Sequence, residues 1–248
     1  MSFKGKTVLV TVASSGIGEA LSRELVKREC IVIGCARSQN KLTALQEELG
    51  SSFIPLVSDV SKIEEVRETV NSLLEQNLCP STFFLNAGIA GEECIEDPKN
   101  FSLEKHIKTM ATNYFGVLAF VECFEKPCQN KGGAHFIVTS SVNAIFAPPT
   151  GSAYAASKAA ISKAFEGLSI TYHGTNLRFS HIFTGPVKTN GLKGNWPFVW
   201  EPSKMACYMA DFALKNKRWG IPSLFYYILA HVLTFLPHTW TLKVLKRA

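Results

Sequence analysis

The sequence predicts an α/β fold: one domain built on a doubly wound parallel sheet with helices on both faces. Three observations carry this expectation. Apolar, strand-like runs alternate with helical patterns along most of the chain, the order from which parallel sheets are built. The length, 248 residues, suits one domain with a sizeable core. A glycine-rich turn joins the first strand to the first helix, close to the amino terminus. No internal repeat, low-complexity tract or linker divides the chain.

The first strand is read at residues 6–12, an apolar run. Ala13-Ser14-Ser15-Gly16-Ile17-Gly18 follows, then a helical pattern through Ala20, Leu21, Leu25 and Val26. Such a turn presents backbone N–H groups and the positive end of a helix dipole to a pyrophosphate, and glycine lets the phosphate approach the backbone. The second strand, residues 30–38, ends in Ala36-Arg37-Ser38. An acidic residue there would hold the ribose hydroxyls of NAD and repel a 2′-phosphate. The Arg37 guanidinium instead presents paired donors suited to a phosphate. The competing reading is a solvated arginine that opens the next helix. Ser58-Asp59-Val60 closes the third strand.

Residues 134–141 read as a buried strand ending in small hydroxylated side chains, at the strand end where open α/β sheets bind ligands. Ser141 is placed to donate a hydrogen bond to a carbonyl oxygen, whereas Ser140 is read as a cap for the following turn. Residues 151–170 are alanine-rich and helical. Tyr154 and Lys158 lie about one turn apart there, ~6 Å along the axis, on one face. A positive charge beside a phenol favours the phenolate, which makes Tyr154 a candidate general acid and base.

With these residues on the page, the chain resembles the short-chain dehydrogenase/reductase family over roughly residues 5–190. The family's Thr-Gly-x-x-x-Gly-x-Gly turn is similar to Thr11-Val12-Ala13-Ser14-Ser15-Gly16-Ile17-Gly18. Its Asn-Asn-Ala-Gly strand end is similar to Leu85-Asn86-Ala87-Gly88, and its helix asparagine falls on Asn113. Its serine, tyrosine and lysine match Ser141, Tyr154 and Lys158, and its Pro-Gly-x-Val-x-Thr loop resembles residues 184–189. Three positions depart from the pattern: Val12, Leu85 and Thr184. A β-branched residue is costly at positive φ, so Val12 is expected in an extended conformation, with cofactor affinity the property most exposed to the change.

The resemblance implies a Rossmann-type fold and NADP(H) as cofactor. It implies contacts to that cofactor from Ser14, Ser15, Gly16, Ile17 and Gly18 and from Arg37 and Ser38. Further contacts are implied from Asp59 and Val60, from Asn86, Ala87 and Gly88, from Tyr154 and Lys158, and from Gly185, Val187 and Thr189. Tyr154 would supply the proton and Ser141 would hold the substrate oxygen. Lys158 would lower the phenol pKa and bind the nicotinamide ribose, and Asn113 would place a water linking Lys158 to solvent. Asn143 and Trp196 join Ser141 and Tyr154 as expected substrate contacts. The implied activity is hydride transfer between NADP(H) and a carbonyl or alcohol, with reduction of a lipophilic ketone or aldehyde foremost. An NAD(H)-linked alcohol dehydrogenase with the same site is the alternative. A nucleotide-binding scaffold without turnover is a third, though it has no need of Asn113, Ser141, Tyr154 and Lys158 together. A homodimer or homotetramer is also implied.

Composition sets limits. The formal net charge of +6 is modest and scattered, and the basic clusters at Lys4-Lys6 and Lys243-Lys246-Arg247 are too small to argue for nucleic acid. The six histidines lack metal-ligand spacing, so no metal is expected, and His181 reads as a core residue. Seven cysteines contain no Cys-x-x-Cys pair, and no signal peptide precedes the first strand; reduced, mostly buried thiols in the cytoplasm are expected. Residues 190–203 are expected to form a variable lid, part of a region at about 190–217. Its aromatics either wall an apolar pocket or pack on the core beneath a static loop. Residues 223–247 are expected to form one or two apolar helices, too short to span a bilayer. Three readings of that tail stay open: packing on the domain or on a second subunit, peripheral contact with a membrane surface, and a wall of the substrate pocket.

Overall fold

A computed structural model describes residues 2–90, 101–192 and 196–245. The chain alternates strand and helix as expected: β1 (Thr7–Thr11), α1 (Gly16–Lys27), β2 (Ile31–Ala36), α2 (Gln39–Leu49), β3 (Phe53–Val57), α3 (Ile63–Glu75) and β4 (Thr82–Leu85). Then come α4 (Leu103–Met110), α5 (Gly116–Asn130), β5 (Ala134–Ser141), α6 (Ser152–Thr171) and β6 (Leu177–Thr184). The carboxyl-terminal part adds α7 (Pro202–Ala213), the two-residue β7 (Trp219–Gly220), α8 (Leu224–Phe235) and α9 (His238–Leu245). All strand pairs are parallel, in the order β3-β2-β1-β4-β5-β6-β7. The order reverses between β1 and β4, and the crevice outside the carboxyl ends at such a switch point is where ligands bind.

Alternation along the strands divides the core. Val8 and Val10 of β1 point to one face and Leu9 to the other, as side chains of period two must. On Leu9's side, Phe83, Phe136 and Phe179 sit in register on β4, β5 and β6 and stack, with ring centroids 4.4 and 5.1 Å apart. Helices α3, α5 and α6 cover this face through Val70, Phe124 and Phe165, all fully buried. Helices α1, α2 and α7 cover the opposite face through Leu21, Leu42 and Met209. Each large side chain so removed from water contributes roughly 1.5–3 kcal/mol.

A third, smaller cluster sits beyond the end of β6. Val142 and Phe183 meet Tyr226 and Ala230 of α8, with Trp196 and Leu229 packed alongside. The tail therefore docks on its own domain. Among the described residues no helix is long and apolar enough to cross a membrane. His181 is buried against Phe183, with centroids 4.9 Å apart, and desolvation holds its pKa down at about 4. Among the described residues the thiols are less uniformly buried than expected: Cys30, Cys35 and Cys128 are buried, Cys79 and Cys123 partly so, and Cys207 is exposed, while Cys94 lies outside the described residues. Cys207 lies on the outer side of α7, where the sequence pattern alone did not distinguish the faces.

Candidate active site

Helix α1 starts at Gly16, whose φ is +54°, and Ser15 before it makes no side-chain cap, so the first N–H groups of the helix are left to a ligand. Gly18 packs the helix against the end of β1: a Cβ there would lie 2.3 Å from the Val12 carbonyl oxygen. Val12 itself corrects the sequence reading. Its φ is +56°, the left-handed region, not extended. The turn geometry outweighs the residue preference, because the chain must still reverse between β1 and α1. Strain of this kind costs about 1–2 kcal/mol.

The ends of β1, β4 and β5 are tied together by short polar side chains. Thr11 Oγ1 accepts from Ala87 N at 3.0 Å, Asn86 Nδ2 reaches Thr11 O at 3.5 Å, and Thr139 Oγ1 donates to Asn86 Oδ1 at 2.5 Å. The Thr139 carbonyl accepts from Lys158 Nζ at 2.8 Å, which holds a buried ammonium at the floor of the cleft. Gly88 leaves the room: a Cβ there would stand 3.0 Å from Lys158 Nζ. The Lys158 ammonium lies 5.8 Å from the centre of the half-buried Tyr154 ring. Ser141 Oγ accepts from Asn143 N at 3.1 Å, which caps a short turn yet keeps the O–H for a ligand. Ser140, expected as a turn cap, instead faces α6 and pairs with Ser162 at 2.5 Å.

Asn113 is fully buried in a π-helical turn, Ala111–Phe115, between α4 and α5. Such turns recur at functional sites because they re-aim one side chain. Asn113 Oδ1 accepts from Ile89 N at 2.8 Å, and its Nδ2 donates to Ile89 O and to Ser157 Oγ at 3.0 Å. Ser157 Oγ in turn donates to the Tyr154 carbonyl at 2.7 Å. Asn113 thus braces the segment after Gly88 and, through Ser157, the first turns of α6.

One cleft of about 1690 Å³ joins these groups to the rest of the expected site. That is larger than the 300–1,000 Å³ typical of a small-molecule pocket, and so has room for a dinucleotide and a second ligand. Ser14, Ser15, Gly16, Ile17, Gly18, Asn86, Gly88, Ser141, Asn143, Tyr154 and Lys158 all border it. Ala87 is buried behind the lining. At the far end stand Arg37, Ser38, Asp59 and Val60. Asp59, an implied cofactor contact, is already engaged by its own turn: its Oδ1 accepts from both the N–H and the hydroxyl of Ser61. Burial pushes its pKa up, but the Ser61 hydrogen bonds and the charges of Arg37 and Lys62 outweigh that and hold it below the ordinary value. Beside it, Ser58 Oγ is buried without a hydrogen-bond partner among the described residues, on the wall of the cleft. A polar ligand would satisfy it. Together with the glycine turn, this orphan hydroxyl fits a bound nucleotide.

The loop after β6 closes the cleft with Gly185, Val187 and Thr189, and Thr189 Cγ2 would lie 3.1 Å from a Cβ on Gly16. Thr184, in place of the family's proline, donates to Ser140 O at 2.8 Å and so extends the β5–β6 pairing. Lid aromatics divide three ways: Trp196 borders the cleft, Trp200 packs on the core beside Tyr208, and Phe198 is 70% exposed. Sequence reasoning missed Thr139, Ser157 and Lys41; it held a pocket wall open as one reading of the tail but did not single out Tyr226, Leu229, Ala230 and Leu233 of α8, which border the cleft. Lys41 alone left a local signal, four residues beyond Arg37 at the start of α2.

The family profile for short chain dehydrogenase matches residues 6–198, and the chain belongs to that family of oxidoreductases, whose fold binds a nicotinamide cofactor. It is 31% identical over 196 residues to an 11-beta-hydroxysteroid dehydrogenase A of Sesamum indicum, covering 77% of this chain and 55% of the relative. It is 33% identical over 190 residues to an NADPH-dependent 1-acyldihydroxyacetone phosphate reductase of Saccharomyces cerevisiae, covering 75% of this chain and 62% of the relative. The chain therefore spans less than two thirds of the length of these curated relatives. A short chain dehydrogenase from Burkholderia cenocepacia, solved in complex with NADP, superposes with a TM-score of 0.83 at 20% identity, covering 99% of each chain. That likeness is one of fold.

Proposed function

We propose that this protein is an NADP(H)-dependent oxidoreductase that interconverts a carbonyl and an alcohol, with reduction of a lipophilic ketone or aldehyde as its working direction. The observation that carries the reading is that Ser141, Tyr154 and Lys158 border one cleft, with the Lys158 ammonium 5.8 Å from the Tyr154 ring. The nicotinamide, when bound, supplies the hydride. Tyr154 gives its phenolic proton to the carbonyl oxygen, which Ser141 holds through its free O–H. Lys158 offsets the negative charge left on the phenol, and its bond to the Thr139 carbonyl keeps the ammonium in place. Asn113 is a positioning residue whose Oδ1 keeps a lone pair for the water that the family resemblance implies.

Arg37 and Lys41, with the hydroxyls of Ser14 and Ser38, give the far end of the cleft the charge and donors a 2′-phosphate needs. The yeast relative is NADPH-dependent by name, and the Burkholderia structure holds NADP. Trp196, Tyr226, Leu229 and Leu233 make the substrate end apolar, in keeping with relatives named for a steroid and an acyl lipid. Leu103, Ile107 and Phe115, all exposed, offer a homodimer its contact face. The test is a panel of fatty, steroid-like and quinone carbonyls with each cofactor at limiting concentration. NADPH should exceed NADH by about tenfold or more in kcat/KM, the scale of one charged hydrogen bond. Cofactor binding without turnover of any carbonyl or alcohol would leave only a scaffold.

A further inference from the structure

Helix α8 has two faces, and only one belongs to the cleft. At 100° per residue, Leu224, Phe225, Ile228, Val232 and Phe235 fall within one arc of about 100°. All five are exposed, from 48% at Val232 to 85% at Phe235. The helix carries no charged residue. Phe198 extends the stripe from the lid, its ring 5.3 Å from that of Phe225 and its φ at +53°, a conformation bulky residues rarely adopt. Trp219 and Trp240, before and after α8, are 52% and 62% exposed. Contiguous apolar surface of this kind marks an interaction site.

The charges before and after it in the sequence point to the occupant. From Phe212 to Ala248 the sequence holds six Lys and Arg residues and no Asp or Glu. Lys215, Lys217 and Arg218 are exposed on the approach to β7. An uncharged apolar stripe bracketed in the sequence by cations and by half-exposed tryptophans suits an anionic lipid interface. A second copy of this chain would bring the same cations against themselves. At 12 residues and ~18 Å, α8 can lie in the interface but cannot cross it.

We infer that the protein docks on anionic membrane surfaces through the outer face of α8 together with Phe198. The inference stands independently of the carbonyl reading. Its consequence for the site is direct, because Leu229, Ala230 and Leu233 on the inner face of the same helix wall the cleft. Docking brings the apolar end of the cleft within about one helix diameter, ~10 Å, of the acyl region.

Co-sedimentation of the full chain with phosphatidylcholine vesicles, with and without phosphatidylglycerol, tests the proposal. The wild type should bind the anionic vesicles, more weakly at high salt, and largely ignore the neutral ones. Ile228→Glu with Val232→Glu should lower binding at least ~10-fold while far-UV circular dichroism stays unchanged. Should that pair fail to fold, Phe235→Glu, at the most exposed position, takes its place. Brominated lipid should also quench the wild type's tryptophan fluorescence. A wild type that stays in the supernatant with anionic vesicles and is not quenched overturns the proposal. So does a solution dimer that the paired substitution splits without any loss of vesicle binding, which would assign the face to a second copy.

Discussion

The first 60 residues meet the cleft through strand ends, a helix terminus and short polar side chains, whereas residues 184–235 meet it through a loop, a lid and a helix of aromatic and aliphatic groups. Ser14, Gly16, Ser38 and Ser58 offer N–H groups and hydroxyls; Trp196, Tyr226, Leu229 and Leu233 offer surface. A pyrophosphate and a ribose are the same in every dinucleotide, so backbone geometry can hold them. A variable substrate must be fitted by side chains, which change freely on a helix end or lid. The sheet between the two regions carries the buried histidines. All six histidines lie after residue 105, and the two buried ones, His135 and His181, sit on β5 and β6.

The largest effect should come from acid, acting on β5 and β6, the strands between the two regions. Burial holds His135 at about 3, helped by the Arg178 charge, and His181 at about 4, so both are neutral in the fold. In the unfolded chain each takes a proton near pH 6.5. Their contribution to stability is complete above pH 6.5 and is lost as pH falls toward 4, at about 1.4 kcal/mol per histidine per pH unit. Urea midpoints should fall steeply between pH 6 and 4, and His135→Gln with His181→Gln should flatten that slope. An unchanged slope in the double variant would place the acid sensitivity elsewhere.

Chemistry comes next. Tyr154→Phe keeps the ring but removes the proton, so kcat should fall by ~10²-fold or more while NADPH binding persists. Retention of near-full turnover would remove the proposed mechanism. Arg37→Ala should weaken NADPH by about 1.5–3 kcal/mol and leave NADH little changed. Equal losses would mean that Arg37 supports the fold. The smallest effect belongs to Val12→Gly. Relief of about 1–2 kcal/mol of strain offsets the ~0.5–1 kcal/mol of added chain entropy and part of the lost packing, so stability should change by less than ~1 kcal/mol. A loss above ~2 kcal/mol, ordinary for deletion of a relaxed, packed valine, would show the strain to be absent.

How much of this could be read from the sequence follows the range of the interactions. Tyr154 and Lys158 are one helical turn apart, and Ser141 ends a strand whose apolar run defines it, so local pattern places all three. The glycine turn was legible for the same reason. Val12's φ was not, because the turn imposes it against the preference of the residue. Thr139 acts on Lys158 through its carbonyl, which every residue has, so no side-chain code marks it. Ser157 joins Asn113 to the Tyr154 carbonyl across 44 positions of sequence. The tail divided the same way: its helices were legible from composition, but not which face of α8 meets the cleft, since both faces are apolar.

Tyr226 sits where three parts of the molecule meet. Its ring would lie 3.1 Å from a Cβ on Gly185, its hydroxyl donates to the Pro197 carbonyl of the lid, and it borders the cleft. One residue therefore couples the loop after β6, the lid and the apolar wall of the cleft. Changes that reshape the pocket at this helix will shift the Michaelis constants for substrate and cofactor together, and their effects will combine non-additively with lid substitutions. New substrate preferences are then reached more readily through pairs of compensating changes than through single ones.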